Sequence, residues 1–215
     1  MSQMRIEFMA SSALQAWQGA PLAADGPIMV MPFIDRVQAQ QAAQLMASRA
    51  GASGLILAVE DEAGAGFIRL VNLAFQKTHS SHFGYVAQDA FAGRQWLRLA
   101  IEALGSEQVL LGFNDGKWAG ALAGFGLAQR AWAMHNYQGD FFHPGYQRHF
   151  ADAELTLLAM QSGTYAYEPN SLLVEVDWQK DQGQVDAADR QLFLERKASR
   201  FDGKVTHPQL LGLFS

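Results

Sequence analysis

Ile28-Met29-Val30-Met31-Pro32-Phe33-Ile34-Asp35-Arg36 opens the part of the chain whose reading decides the fold. Four consecutive apolar residues ended by Pro32 suit a strand buried on both faces, as in a parallel sheet. Asp35 then stands as the N-cap of a helix to Ala50, with Val37, Ala42, Leu45 and Met46 at helical spacing. The motif recurs. Leu55-Ile56-Leu57-Ala58-Val59 is a second apolar strand, ending in Glu60-Asp61-Glu62. Gly66 to Lys77 is a second helix, with Phe67, Leu70, Val71, Ala74 and Phe75 on one face. Phe83–Val86, Arg94–Leu104 and Val109–Phe113 continue as strand, helix and strand. This alternation predicts the α/β fold class, a Rossmann-like domain with a mostly parallel central sheet flanked by helices. Such sheets bind ligands beyond the carboxyl ends of their strands. That rule points to Arg36, Glu60, Asp61, Asp89, Asn114 and Asp115.

Upstream, residues 9–27 are small, polar and punctuated by Gly and Pro, so residues 1–27 read as an irregular lead-in with a short helix around Ala13–Trp17. Downstream of Gly116 the pattern changes. Gly120 to Met134 mixes Gly, Ala and aromatics, and Gly139 to Tyr146 is an aromatic loop. Phe150 to Met160 reads as an amphipathic helix, with Asp152 and Glu154 in its first turn opposing the helix dipole. Ser171–Val176 is a late strand ending at Asp177, residues 179–184 are a polar linker, and Asp186 caps a charged helix to about Phe201, followed by an irregular tail. The expected organisation is an α/β domain over residues 28–178, with a first half to about residue 115 and a second half after it. A C-terminal helical extension covers residues 179–215.

Composition narrows the function. The 215 residues carry a net charge of −5, are 49% hydrophobic and include no cysteine. A chain of this size buries roughly 70% of its unfolded surface and needs no covalent staple. Without cysteine there is no disulfide framework, thiolate zinc site or thiol nucleophile. The acidic balance argues against a nucleic-acid binder. No apolar run reaches the roughly 18 residues of a membrane span, and Met1 to Phe8 lacks the pattern of a secretory signal, so a cytoplasmic location is expected. The pairs His79/His82 and His143/His149 lack the helical i, i+4 spacing of a zinc site. Trp132, Tyr137, Phe141, Phe142, Tyr146 and Phe150 read mostly as core.

The order of these pieces resembles the A-type-fold glycosyltransferases, in particular the family-two-like inverting enzymes that use nucleotide-diphospho-sugars. Ile28–Arg36 resembles the family's first strand and nucleotide-contacting turn. Leu55–Asn72 resembles its second strand, acidic end and Gly-x-x-Arg-x-x-Asn helix. Tyr85–Leu97 resembles the strand, the metal-binding Asp-x-Asp turn and the Trp-Leu that follows. Gly139–Pro169 resembles the Gly-x-Phe loop, the acidic helix that supplies the base, and the Tyr-x-Pro strand entry. The resemblance implies Pro32, Phe33, Arg36, Glu60, Asp61, Arg69 and Asn72 at the nucleotide, Asp89 and Asp177 at a divalent cation (Mn2+ or Mg2+), and Asp152 as catalytic base. Asn114, Asp115, Lys117, Trp118, His149 and Glu154 are then candidates for the sugar or the acceptor. Gln88-Asp89-Ala90 stands where the family has Asp-x-Asp, and Ala151-Asp152 where it has an acidic pair.

The chemistry suits these residue types. Expelling a nucleoside diphosphate leaves an anion that a carboxylate-held cation neutralises. The acceptor hydroxyl needs a carboxylate base on the opposite face of the sugar. The expected partners are a nucleotide-sugar donor and a saccharide or lipid-linked acceptor. Aromatics of the late region leave a homo-oligomer open. A non-catalytic nucleotide- or saccharide-binding protein on the same fold is the alternative, favoured by the reduced metal turn. A nucleotidyltransferase ranks below it, because the loop after the first strand has no glycine and one arginine. A serine hydrolase ranks last, for want of a Gly-x-Ser-x-Gly elbow.

Overall fold

A computed structural model describes residues 4–176 and 185–214. Its strands are β1 (Met4–Ala10), β2 (Leu22–Ala23), β3 (Ile28–Phe33), β4 (Gly54–Glu60), β5 (Thr78–His79), β6 (His82–Tyr85), β7 (Ala90–Ala92), β8 (Leu110–Asn114), β9 (Gly126–Gln129) and β10 (Tyr165–Glu175). The helices are α1 (Ser11–Ala16), α2 (Arg36–Arg49), α3 (Phe67–Lys77), α4 (Trp96–Leu104), α5 (Arg130–Met134), α6 (Ala151–Gln161), α7 (Ala187–Ala198) and α8 (Pro208–Leu211).

Eight strands form one sheet in the order β1-β4-β3-β6-β9-β8-β10-β7. The pairs β1/β4, β4/β3, β3/β6 and β8/β10 are parallel, while β9 runs against both β6 and β8, and β7 against β10. Six strands therefore point one way. Their carboxyl ends put Phe33, Glu60, Tyr85, Asn114 and Glu175 along one edge of the sheet, with Asp35, Asp61 and Asp115 just beyond.

The apolar strands are covered on both faces, as their composition dictates. Alternate residues Ile28 and Val30 of β3, with Leu55, Leu57 and Val59 of β4, join a core shared with α3 and α6. Met29, Met31 and Phe33, with Ile56 and Ala58, join a second core shared with α2 and α4. Asp35 caps α2 as expected, its Oδ1 accepting from Val37 N at 2.9 Å and Gln38 N at 3.0 Å. Asp186 caps α7 in the same way.

Four sequence readings change. The lead-in is not irregular: β1 adds an outer strand on β4, seven residues in parallel register from Met4↔Gly54 to Ala10↔Glu60. Gly120–Met134 contains β9, wedged between β6 and β8. Gly126 is needed there, because a Cβ at that position would sit 2.8 Å from the Tyr85 hydroxyl oxygen. α6 is not amphipathic, since Ala151 and every residue from Ala153 to Ala159 are buried. The tail carries the short helix α8. Asp177 and the linker at residues 179–184 lie outside the described residues.

Candidate active site

A cavity of about 810 Å3 opens at the carboxyl ends of β6, β8 and β10. The ends of the sheet contribute Tyr85, Asp115 and Glu175, and the amino end of α6 contributes Asp152. Lys117 and Trp118 come from the turn after β8, His149 from the loop before α6, and Arg190 and Leu194 from α7. Its volume falls in the range of small-molecule sites, and its wall is mainly apolar with a few polar groups, as such sites are.

Asp152 is a strongly perturbed carboxylate in this cavity. Burial pushes it up from 3.8 to about 6, backbone N–H groups including that of Ala153 (2.9 Å to Oδ1) pull it down, and nearby Asp115 pushes it further up. At pH 7 such a group is mostly ionised yet basic enough to take a proton. Thr156 donates to the Asp152 carbonyl at 2.7 Å and accepts from Ala123 N at 3.1 Å, tying the helix turn that carries Asp152 to the Ala123 backbone. Tyr85 lies fully buried beside it, with its hydroxyl donating to the Ala123 carbonyl. Burial first, and Asp152 next, raise its phenol well above the usual value.

Asp115 is itself buried. Its Oδ1 accepts from Lys117 N and Trp118 N, both at 2.9 Å. That turn fixes Lys117 and Trp118 at the mouth, with the Lys117 ammonium 5.7 Å from the Trp118 ring centroid. His149 is held by α7: its N–H donates to Asp189 at 2.8 Å, and its Nδ1 accepts from Asp186 N at 3.3 Å.

Five of the expected site residues thus meet in one cavity, Asp152, Asp115, Lys117, Trp118 and His149, and Glu175 joins them from the end of β10. The other expectations fare differently. Asn114 stands at the rim of the sheet, with Nδ2 donating to the Pro169 carbonyl at 2.8 Å and Oδ1 accepting from Gly116 N, so its amide shapes the turn. Glu154 is wholly buried and faces away from the cavity. It accepts two hydrogen bonds of 2.7 Å from Arg196 and one of 2.8 Å from Tyr146. Being two positions after Asp152 on a helix turns it by roughly 200° to the opposite side.

The nucleotide residues divide. Arg36 and Glu60 pair at 3.4 Å on the surface at the ends of β3 and β4. Asp61 braces the following loop, with Oδ1 accepting from Ala65 N and Oδ2 from Gly66 N. Pro32 and Phe33 are buried in β3 rather than presented by the turn, and Phe33 packs edge-on against Phe8. The turn exposes Ile34, at 79%, together with Asp35 and Arg36. Arg69 and Asn72 do not join this end of the sheet. They lie on the side of α3 that faces a second cavity, with Ser12, Glu62 and Asp140. Asn72 is a structural tie, accepting from Phe141 N and Phe142 N and donating to the Phe142 carbonyl.

At the cation turn, Asp89 is 6% exposed, and its carbonyl accepts from Val176 N at 3.3 Å. The chain leading to Asp177 therefore starts beside Asp89. Among the described residues no cluster of three or more His, Asp or Glu side chains is gathered. Mg2+ needs only one or two carboxylates when substrate phosphates complete its shell, so a buried carboxylate at a strand end is compatible with such an ion. Gln88, in the first position of the family's acidic motif, instead accepts from Ile34 N at 2.8 Å and Asp35 N at 3.0 Å.

Solved structures share this arrangement. Over 92% of this chain and 85% of the other, with 12% identity and a TM-score of 0.52, it is similar to glucosyl-3-phosphoglycerate synthase from Mycobacterium tuberculosis in complex with Mn2+, uridine diphosphate and glucosyl-3-phosphoglycerate. A structure of that synthase with Mg2+ and uridine diphosphate matches over 86% of this chain and 81% of the other, with 11% identity and a TM-score of 0.52. The fold is that of the A-type glycosyltransferases.

Residues 1–349 of TarS from S. aureus match 69% of this chain with 9% identity and a TM-score of 0.47, and the chain spans 59% of that structure's length. No protein-family model matches the chain, and no curated protein sequence matches it. No described helix of this A-type fold is long and apolar enough to cross a membrane.

Within the fold, the residues missed by sequence reasoning are Arg148, Arg190, Leu194 and the aromatic wall of Phe150 and Phe193, whose rings stack at 4.8 Å. Arg190 and Leu194 are four apart on α7, a spacing that puts both on one face. The sequence carried that signal, but not which way the face points.

Proposed function

We propose that this protein transfers a sugar from a nucleotide-diphospho-sugar to an acceptor hydroxyl, with inversion. One observation carries the reading: Asp152 sits in the cavity at the carboxyl ends of the strands, raised to about 6 by burial, on the helix where the A-type fold keeps its base. The acceptor O–H gives its proton to Asp152 as its oxygen bonds to the anomeric carbon. The bond from that carbon to the diphosphate breaks on the far face, and the nucleoside diphosphate departs with the electron pair. Asp115 holds the Lys117–Trp118 turn, so that the indole offers a face to the sugar and the ammonium offers a charge to its oxygens. His149 orients the acceptor. The turn at Ile34–Arg36, with Glu60, receives the nucleoside. Asp89 takes the diphosphate end, together with Asp177. These carboxylates would hold a divalent cation, which would supply charge neutralisation to the leaving diphosphate.

A thermal-shift panel of nucleoside diphosphates and nucleotide-sugars, with and without Mn2+ or Mg2+, tests this. Saturation at 100 times the dissociation constant adds about 2.7 kcal/mol of stability. A shift with one base, strengthened by metal, supports the transferase. A shift unaffected by metal, with no sugar released, supports the second reading: a binding protein on the same fold. Gln88 favours that second reading, because its amide holds Ile34 and Asp35 where a metal-binding carboxylate is expected.

A further inference from the structure

Two features of the cavity stand outside the sugar chemistry. The first is the apolar character of its outer wall. Trp118, Val185 and Leu194 line the cavity, yet remain 41%, 49% and 47% exposed. Two further exposed apolar residues, Val176 and Leu213, adjoin the lining residues Glu175 and Phe214 in sequence. Three of the ten large apolar residues exposed in the described structure therefore line one cavity, whereas scattered single ones are the norm. Inside, the wall continues through Phe67, Phe150 and Phe193. A saccharide needs hydroxyl partners, and this wall offers few.

The second is a pair of guanidinium groups. Arg148, from the loop before α6, and Arg190, on α7, both line the cavity. Neither side chain has an ion pair or hydrogen bond among the described residues, although the backbone N–H of each is held, by Asp189 and by the Asp186 carbonyl respectively. Several other arginines are occupied, Arg36 with Glu60, Arg98 with Glu102, Arg130 with the Phe75 carbonyl and Arg196 with Glu154, whereas Arg69, Arg94 and Arg200, which line no part of this cavity, also lack a side-chain partner among the described residues. Two arginines with no side-chain partner among the described residues, beside an apolar wall in a chain of net charge −5, are placed to receive an anion. The same cavity carries the carboxylates Asp115, from the turn after β8, and Asp152, from α6.

We infer that the acceptor is an anionic amphiphile, a hydroxyl-bearing molecule that joins an apolar chain or ring system to a phosphate. Its phosphate lies between Arg148 and Arg190, its apolar body runs out past Leu194 and Trp118, and its hydroxyl reaches Asp152. The inference rests on the transferase reading for the hydroxyl alone. The binding of the phosphate and of the apolar body stands independently of it.

Titration calorimetry of the full chain with decyl phosphate, kept below its micelle-forming concentration, tests this without any turnover. Decanol and inorganic phosphate are the two control ligands. Decyl phosphate should bind at least about tenfold more tightly than either, since one charge-assisted contact is worth about a factor of ten. Arg148→Ala and Arg190→Ala should each weaken it about tenfold, and Leu194→Ser should weaken decyl phosphate and decanol together. All three positions are exposed, so the variants fold. Equal binding of decyl phosphate to wild type and the Arg148→Ala/Arg190→Ala protein overturns the inference, as does no binding at all. Loss of uridine or guanosine diphosphate binding in that double variant also overturns it, because the arginines would then serve the donor. Binding as expected with no sugar transfer to any acceptor would sink the transferase reading and leave this one standing.

Discussion

Arg196 of α7 meets Glu154 of α6 in a two-pronged ion pair, both contacts 2.7 Å, around a carboxylate that solvent does not reach. Tyr146 adds a third hydrogen bond. The pair joins the C-terminal extension to the helix carrying Asp152, and at the other end of α7 Asp189 accepts from Gln147 N, Arg148 N and His149 N. The extension is thus part of the cavity's frame.

Removing one partner of a buried pair leaves a charge stranded. Arg196→Met should destabilise the protein by about 3–5 kcal/mol. Glu154→Gln added to Arg196→Met should recover much of that loss, since the stranded charge is gone and Tyr146 keeps an acceptor. Urea unfolding of the single and double variants measures both.

Asn72 makes three hydrogen bonds to the Phe141–Phe142 backbone from a buried position. Asn72→Ala leaves two buried N–H groups unmet and should cost about 2–4 kcal/mol. Because Phe142 lines the cavity, ligand affinity should fall with it. A variant that keeps wild-type stability in urea would return Asn72 to the nucleotide role that its sequence pattern implied.

Asp152 links stability to pH. Its carboxyl is raised from 3.8 to about 6, so the folded state holds the proton more tightly than the unfolded chain. The stability this confers is complete below about pH 4 and is lost as pH rises through about 6. Asp152→Asn removes that loss. It should raise Tm by a few degrees at pH 8, and the difference should vanish near pH 4, by calorimetry across the range. In the wild type, turnover should fall on the acid side below about pH 6, as the base becomes protonated.

Asp89→Ala should abolish any strengthening of nucleotide binding by Mn2+ while leaving the metal-free shift in place. Thermal shift with and without metal reads this directly, and an unchanged metal effect would move the cation elsewhere.

Much of this was legible in the sequence, for reasons that also mark its limits. Strands β3 and β4 are wholly apolar because both faces are covered, and Asp35 and Asp186 announce their helices by local hydrogen bonds. β1 was not legible, because its partner β4 lies some fifty residues away and its alternation of Arg5 and Glu7 with Ile6 and Phe8 is that of an edge. β9 was hidden by glycine, a poor strand former kept here for the Tyr85 ring. At the cavity, the place of Asp152 in the first turn of α6 was legible because helix starts are local, while its role was implied by the family resemblance alone. Glu154 was misplaced because its partner Arg196 stands 42 positions away, and Arg148 and Arg190 were missed because only packing brings their elements to one cavity.

Nucleoside diphosphate release from a panel of nucleotide-sugars, comparing wild type with Asp152→Asn, tests the central claim most directly. The wild type should release the diphosphate from one donor class, and Asp152→Asn should lower that rate by roughly 10²–10⁴ while still binding the donor. Release at the wild-type rate by Asp152→Asn, or no release from any donor, would contradict the account.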